Sequence, residues 1–136
     1  MLTNNEQLIL KNLRVNSRQS FARLARELNI PIASVFDIHE KLQNKIIKHT
    51  SLINFEKIGY PVRIMLAIET DEKKKIQVLL DNPNMNNLYF REKGLMADMV
   101  FKSLKEKHEF LEYLSAMTSF KFYDVVEELK RETFTP

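Results

Sequence analysis

The chain has 136 residues, of which 44% are hydrophobic and 29% are charged, so it can form one ordinary domain or two small ones. It contains no cysteine, which excludes disulfides and thiolate metal sites, and no apolar run approaches the roughly 18 residues of a membrane span. The net charge of +3 is uneven: residues 1–60 carry nine basic and five acidic side chains, so that region is better suited to a polyanion. The first residues lack a signal peptide pattern, and we expect a cytoplasmic protein.

The first predicted helix begins at a capping box. Thr3 can cap the helix, and Glu6, three residues later, can reach back to the backbone of the cap. Leu10 and Leu13 continue the apolar face to about Arg14. This helix gives the pair of helices that follows an apolar surface to pack on.

Residues 20–43 predict two short helices joined by a tight turn. Ser20 can cap the first helix, Asn29 can end it because Asn tolerates the left-handed backbone region, and Pro31 can open the second. The small Ala25 lets the helices cross closely, which is typical of a DNA-binding helix-turn-helix, although an ordinary helix pair in a bundle has the same periodicity. The apolar positions that carry the pattern are Phe21, Leu24, Ala25, Leu28, Ile30, Val35, Ile38 and Leu42.

The second helix of this pair has an unusual outward surface for a DNA reader, because it presents apolar and acidic residues. An acid can accept a hydrogen bond from cytosine N4, and Phe36 or Ala33 can touch a thymine methyl group. Affinity would then depend mainly on cations that contact the phosphate backbone. We expect the major groove to be faced by Ser34, Phe36, Asp37 and Lys41, and the phosphates to be contacted by Arg18, Arg23, Arg26, Lys41, Lys45 and Lys48.

A change of pattern after Leu42 predicts a domain boundary. Residues 46–55 are rich in β-branched side chains and predict a strand or a wing-like extended linker, and residues 56–61 contain a glycine and a proline. We therefore divide the chain into a helix-turn-helix domain at 1–45, a linker strand at 46–61 and a second domain at 62–136.

The second domain has a predicted β-α-β-β-α-β order. The strands are expected at 62–70, 87–91, 98–102 and 120–132, with Asp71 capping the first helix, which ends near Leu80, and a second helix at 105–117. Residues 91–98, which include Gly94, form the predicted hairpin loop. This order is typical of a ferredoxin-like α+β fold with both helices on one sheet face. The other face needs a cover, which predicts a homodimer formed through this domain.

No pattern for catalysis or metal binding is present. His39, His49 and His108 lack ligand spacing, and the chain has no nucleophile elbow, phosphate-binding glycine loop or dinucleotide fingerprint. We expect neither an enzyme nor a cofactor. Asp98, in the predicted hairpin, suits a turn residue and an effector contact equally well.

Three stretches of the chain resemble the Lrp/AsnC, or feast/famine, transcriptional regulators. They are LRVNSRQSFARLARELNIPIASV at 13–35, IIKHTSLINFEKIGYPVRIMLAIE at 46–69 and GLMADMVFKS at 94–103. The resemblance implies dimers that bind operator DNA through the first domain and assemble into octamers or larger rings through the second. It also implies an amino-acid or related effector bound in clefts between the second domains, for which we assign Gly94, Met96 and Asp98.

We therefore expect a dimeric, sequence-specific DNA-binding regulator. The alternative is a small-molecule-sensing or protein-interaction module whose helix-turn-helix has lost DNA affinity, which the acidic Asp37 and Glu40 favour. An acylphosphatase-like enzyme on the ferredoxin-like half is disfavoured, because the chain lacks a glycine-rich phosphate loop.

Overall fold

A computed structural model describes residues 1–134 of the chain. These residues form two compact units, one made of Met1–Leu52 together with residues 130–134, the other of Ile53–Leu129. Residues 46–52 of the predicted linker thus lie in the first unit and residues 53–61 in the second. The last two residues of the predicted 62–136 domain lie outside the described residues.

No helix within residues 1–134 is long and apolar enough to cross a membrane.

The first unit is a bundle of three helices. These are α1 (Asn4–Val15), α2 (Phe21–Leu28) and α3 (Ile32–Leu42). Ile9, Leu24, Val35 and Leu42 are fully buried and form the centre of its core. Each helix contributes at least one of them, so none of the three short helices has to be stable alone.

The predicted caps of the first two helices are confirmed, whereas Pro31 lies just before α3 rather than in its first turn. Thr3 Oγ1 accepts from the Glu6 backbone N–H at 3.3 Å, and Glu6 Oε2 accepts from the Thr3 N–H at 2.7 Å. Ser20 Oγ accepts from the Arg23 N–H at 3.2 Å. Asn29 takes a left-handed conformation (φ 54°), and the Ile30 N–H returns to the Ala25 carbonyl at 3.1 Å. Asn29 therefore turns the chain sharply between α2 and α3.

The linker forms no strand in the described chain. A short 3₁₀ turn at Gln43–Lys45 ends α3, and a second turn at Glu56–Ile58 precedes Gly59, which has a φ of +89°. A strand is stabilised by hydrogen bonds to a neighbouring strand, and no strand of the single chain pairs with residues 46–55. Of the two interpretations, the strand is therefore wrong for the described chain, and residues 46–54 form a linker without regular secondary structure.

The second unit has the predicted ferredoxin-like fold. Its four strands form one antiparallel sheet in the order β2-β3-β1-β4. Leu79, Phe110, Leu111 and Leu114 from the helices pack on one face of the sheet. The elements in chain order are β1 (Val62–Ile68), α4 (Lys73–Leu80), β2 (Met85–Phe90), β3 (Leu95–Phe101), α5 (Leu104–Met117) and β4 (Phe120–Asp124).

The predicted hairpin loop at 91–98 is wrong, because β3 already begins at Leu95. Leu95, Ala97, Met99 and Phe101 alternate toward the helices and are almost fully buried, so burial extends the strand toward its N-terminal end. The loop is therefore only the tight turn at residues 91–94.

Two other predicted ends are also wrong. Asp71 does not cap α4; Glu72 is the cap residue, without a side-chain cap bond, and Thr70 Oγ1 accepts from the Glu72 N–H at 3.3 Å. The last strand ends at Asp124 rather than residue 132. Asp124 pairs with Ile64, near the start of β1, so the edge strand β4 has almost no partner left beyond it.

Candidate nucleic-acid interface

Helix α3 has one buried face and one exposed face. Val35 and Leu42 are fully buried, whereas Ala33, Asp37 and Glu40 lie about half a turn away and are exposed. Among the residues predicted to face the major groove, Phe36, Asp37 and Lys41 are exposed and Ser34 is half-buried on the flank of the helix. Their contact with DNA remains a prediction.

A row of four rings lies along one flank of α3. The Phe36 ring meets the Phe21 ring edge-on at 6.0 Å between centroids, and Phe21 packs on His39 at 4.9 Å. His39 stacks on His49 at 6.0 Å. We call these four residues the aromatic row. This row was not predicted from the sequence, although Phe36 and His39 are three residues apart, which places them on adjacent turns of one helix flank.

The cations predicted to contact phosphates differ in whether they already pair with a carboxylate. Arg23 Nε donates to Glu27 Oε1 at 2.7 Å, and Lys45 Nζ lies 3.7 Å from Glu6 Oε1. The hydrogen bond from Arg23 lowers the pKa of Glu27 despite the opposing effect of desolvation, so this hydrogen bond favours the carboxylate form of Glu27. Within residues 1–134, no ion pair involves the other four cations, which are Arg18, Arg26, Lys41 and Lys48.

Arg14 holds the C-terminal tail against α1. Its Nε donates to the Phe134 carbonyl at 3.1 Å, and its guanidinium also bonds the Glu132 carbonyl and pairs with the Glu132 carboxylate at 3.4 Å. Glu132 has a positive φ of 50°. Sequence reasoning missed this contact because the partners are more than 100 residues apart, and no local pattern marks such a pair.

The predicted effector residues do not share one site. Gly94 lies in the turn before β3. Met96 projects from the sheet face opposite the helices and is 40% exposed. Asp98 projects from that face too but is buried, because Arg63 covers it with two hydrogen bonds of 2.7 Å. An effector role for the three residues therefore stays a prediction, and Gly94 borders the cleft at the end of the sheet.

Asp98 is the centre of a polar network. Besides Arg63, the amide groups of Asn86 and Asn87 donate to its Oδ2, at 2.7 and 3.2 Å. Arg63 also pairs with Glu128, and its guanidinium lies 5.5 Å from the Phe55 ring centroid. Burial raises the pKa of Asp98, but the hydrogen bonds from Arg63 and the two amides outweigh it and hold the pKa below its usual range.

An open cleft of about 720 Å³ lies at one end of the sheet. Its walls are residues 69–71, which follow β1, and residues 90–94, which form the hairpin turn. Gly94 has a φ of +84° and lies so close to β1 that an added Cβ would be 2.1 Å from the Ile68 carbonyl oxygen. The residues that line the cleft thus include three acidic ones, Glu69, Asp71 and Glu92, and two basic ones, Arg91 and Lys93.

The sheet face opposite the helices carries exposed apolar side chains. Tyr89, Met96 and Tyr123 are 56%, 40% and 61% exposed, and they lie on three of the four strands. Met65 and Ala67 of β1 share this face and are half-buried. In residues 1–134, no group of three or more His, Asp or Glu side chains is arranged to hold a metal ion.

The chain is similar to known transcriptional regulators in sequence and in structure. No family model matches the sequence. An uncharacterised HTH-type transcriptional regulator of Pyrococcus furiosus is 29% identical over 118 residues, which cover 82% of this chain and 80% of that protein.

Three solved structures have the same fold over nearly the whole chain. LrpC of Bacillus subtilis has a TM-score of 0.88 at 20% identity, covering 96% of this chain and 98% of LrpC. A transcriptional regulator of Neisseria meningitidis, solved as a complex with L-Met, has a TM-score of 0.87 at 13% identity, covering 100% and 97%. AsnC of Escherichia coli has a TM-score of 0.81 at 17% identity, covering 100% and 99%.

Proposed function

The chain has the fold of the Lrp/AsnC transcriptional regulators, as its sequence predicts, and from this we propose that it is a DNA-binding transcriptional regulator that acts in the cytoplasm. The observation that carries the proposal is the helix-turn-helix itself. The left-handed Asn29 turns the chain between α2 and α3, and α3 exposes a full face to solvent. Cations on α2, at the end of α3 and in the linker are exposed, and they can contact the phosphates on either side of a groove.

The proposal predicts salt-dependent DNA binding that weakens when Lys41 is removed. Each cation that neutralises a phosphate releases a counterion, so Lys41→Ala is expected to lower the slope of log affinity against log salt by roughly 0.9 for each subunit bound. Lys105→Ala, which removes the same charge from the exposed surface of α5, is the control and should leave the slope unchanged. The measurement is a gel-shift series from low to moderate salt with duplex DNA.

Absence of DNA binding at low salt would contradict this proposal and favour the second candidate, a protein-interaction or sensing module. The exposed Asp37 and Glu40 favour that candidate, because they repel phosphates and suit a basic partner surface.

We propose further that the second unit forms a homodimer through the open sheet face. The exposed Tyr89, Met96 and Tyr123 lie on three strands of one sheet, and a second copy of that face would cover them in a twofold arrangement. A dimer also presents two copies of α3, which suits two half-sites on one duplex. The same proposal includes assembly of such dimers into octamers or larger rings.

Met96→Asp is therefore expected to convert the dimer to monomer at micromolar concentration, because it places a charge on the face that must be dehydrated. Tyr113→Asp is the matched control, since Tyr113 is 50% exposed on α5, and it should leave the dimer intact. Sedimentation velocity distinguishes the two species. A monomeric unmodified chain, or a dimer that survives Met96→Asp, would contradict this arrangement.

We also propose that the cleft between residues 69–71 and 90–94 is the binding site for an amino-acid effector. A free amino acid carries a carboxylate and an ammonium group, and the cleft contains both cationic and carboxylate side chains. The L-Met complex of the Neisseria meningitidis regulator supports this class of ligand. On this proposal the effector contacts include Gly94, whereas Asp98 maintains the sheet from within the polar network.

A further inference from the structure

The exposed surface of α3 lacks hydrogen-bond donors along its centre. Ala33, Asp37 and Glu40 occupy the line opposite the core, with Phe36 beside them. Guanine is usually read in the major groove by Arg or Lys, and adenine by Asn or Gln, and all four side chains donate hydrogen bonds. The strong donor on the exposed surface of α3 is Lys41, and it lies on the flank of that surface rather than along its centre. The chemistry of this surface therefore fits the other two bases better.

We propose that α3 selects DNA by the major-groove edges of pyrimidines. Phe36 contacts the 5-methyl group of thymine, and Asp37 and Glu40 accept hydrogen bonds from the N4 amino group of cytosine. The inference depends on the proposed function, because it specifies which duplexes the regulator binds.

The position of Phe36 supports its part in this readout. Its side chain is half exposed, yet the ring is held edge-on by Phe21, which itself packs on His39. A ring that is already fixed before binding loses little conformational freedom on contact with the base, so burial of the methyl group adds to affinity. The aromatic row thus positions Phe36 toward the groove.

The two acids support specificity rather than affinity. Within residues 1–134, neither Asp37 nor Glu40 takes part in an ion pair, so both carboxylates remain available as acceptors. Near phosphates they weaken binding to every sequence, and an amino group at the right position offsets that cost. On sequences that lack an amino group at that position, nothing offsets the repulsion between the carboxylates and the phosphates, so those sequences are bound more weakly.

The test begins with selection of binding sites for the full chain from random duplexes. The expected motif has an A·T pair and a G·C pair in each half-site, with the thymine and the cytosine on the same strand, because one helix reads both. Replacement of single thymines by deoxyuridine removes only the methyl group and is expected to weaken binding roughly four-fold at one position. Phe36→Ala should bind more weakly and lose this sensitivity, whereas Phe36→Leu, which keeps an apolar side chain, should retain part of it.

The acids are tested by the base that is selected. Asp37→Asn is expected to shift the preferred base from cytosine to adenine at one position, because an amide both donates and accepts. Glu56→Gln removes the same charge outside α3 and should leave the motif unchanged. A motif that consists only of A·T pairs or only of G·C pairs, or equal binding to thymine and deoxyuridine, overturns the inference while DNA binding stands. Absence of salt-dependent DNA binding overturns the proposed function and the inference with it.

Discussion

Gly94→Ala is expected to destabilise the second unit by about 3 kcal/mol, because two separate costs add at this position. The φ of +84° is left-handed, which costs a residue with a Cβ roughly 1–2 kcal/mol. The new Cβ would also lie 2.1 Å from the Ile68 carbonyl oxygen, and this backbone atom can move only if β1 moves. Overpacking of this kind costs typically about 1–3 kcal/mol.

The matched control is Gly59→Ala. Gly59 has nearly the same backbone conformation, with a φ of +89°, but an added Cβ would meet no atom within 4 Å. Only the conformational cost of about 1 kcal/mol applies there. Urea unfolding followed by circular dichroism measures both losses. Equal losses at the two glycines would show that the contact with β1 contributes nothing and that the turn is less tightly packed than described.

The sequence predicted features that depend on near neighbours. The caps at Thr3 and Ser20 and the left-handed Asn29 each follow from a side chain within three or four residues of its partner, and the structure has all three. The strand and helix order of the second unit followed from periodicity, which also depends on nearby residues. These local features were sufficient to establish the fold class.

The errors occurred where distant partners decide an element's end. The last strand stops at Asp124 because β1 offers almost no further partner, and nothing in residues 120–132 marks that point. The start of β3 at Leu95 likewise depends on burial beneath the helices. The same limit explains Arg14, whose tail partners lie at the other end of the chain.

In the candidate sites, too, features set by near neighbours were predicted and features set by distant partners were not. Exposure of Phe36, Asp37 and Lys41 could be predicted, because one helix period fixes which residues point outward. The packing of Phe21 on both Phe36 and His39 required the crossing of two helices. The burial of Asp98 could not be predicted, because its partner Arg63 is 35 residues away. The hairpin is also shorter than predicted, so Asp98 lies within β3 rather than in the loop.

Asp98→Ala is expected to destabilise the second unit by about 3 kcal/mol, because it breaks the buried ion pair with Arg63. The value is at the lower end of the range for such a change, because Arg63 keeps its ion pair with Glu128. The change removes the acceptor for two guanidinium bonds and two amide bonds. Asp98 is 3% exposed, so water cannot readily replace it. Asp81→Ala, at an exposed carboxylate that accepts one bond from Gln77, should cost less than about 1 kcal/mol.

The dependence on pH distinguishes loss of the charge from loss of packing. The pKa of Asp98 is lower in the folded chain than its ordinary value of 3.8, so its charged form stabilises the fold above that value. This stabilisation is lost as the pH falls through the lower, folded pKa. The difference in unfolding free energy between the unmodified chain and Asp98→Ala should therefore be largest near neutral pH and decrease in acid. A difference that is constant with pH would mean that the network stabilises the sheet through packing alone, with no net contribution from the Asp98 charge.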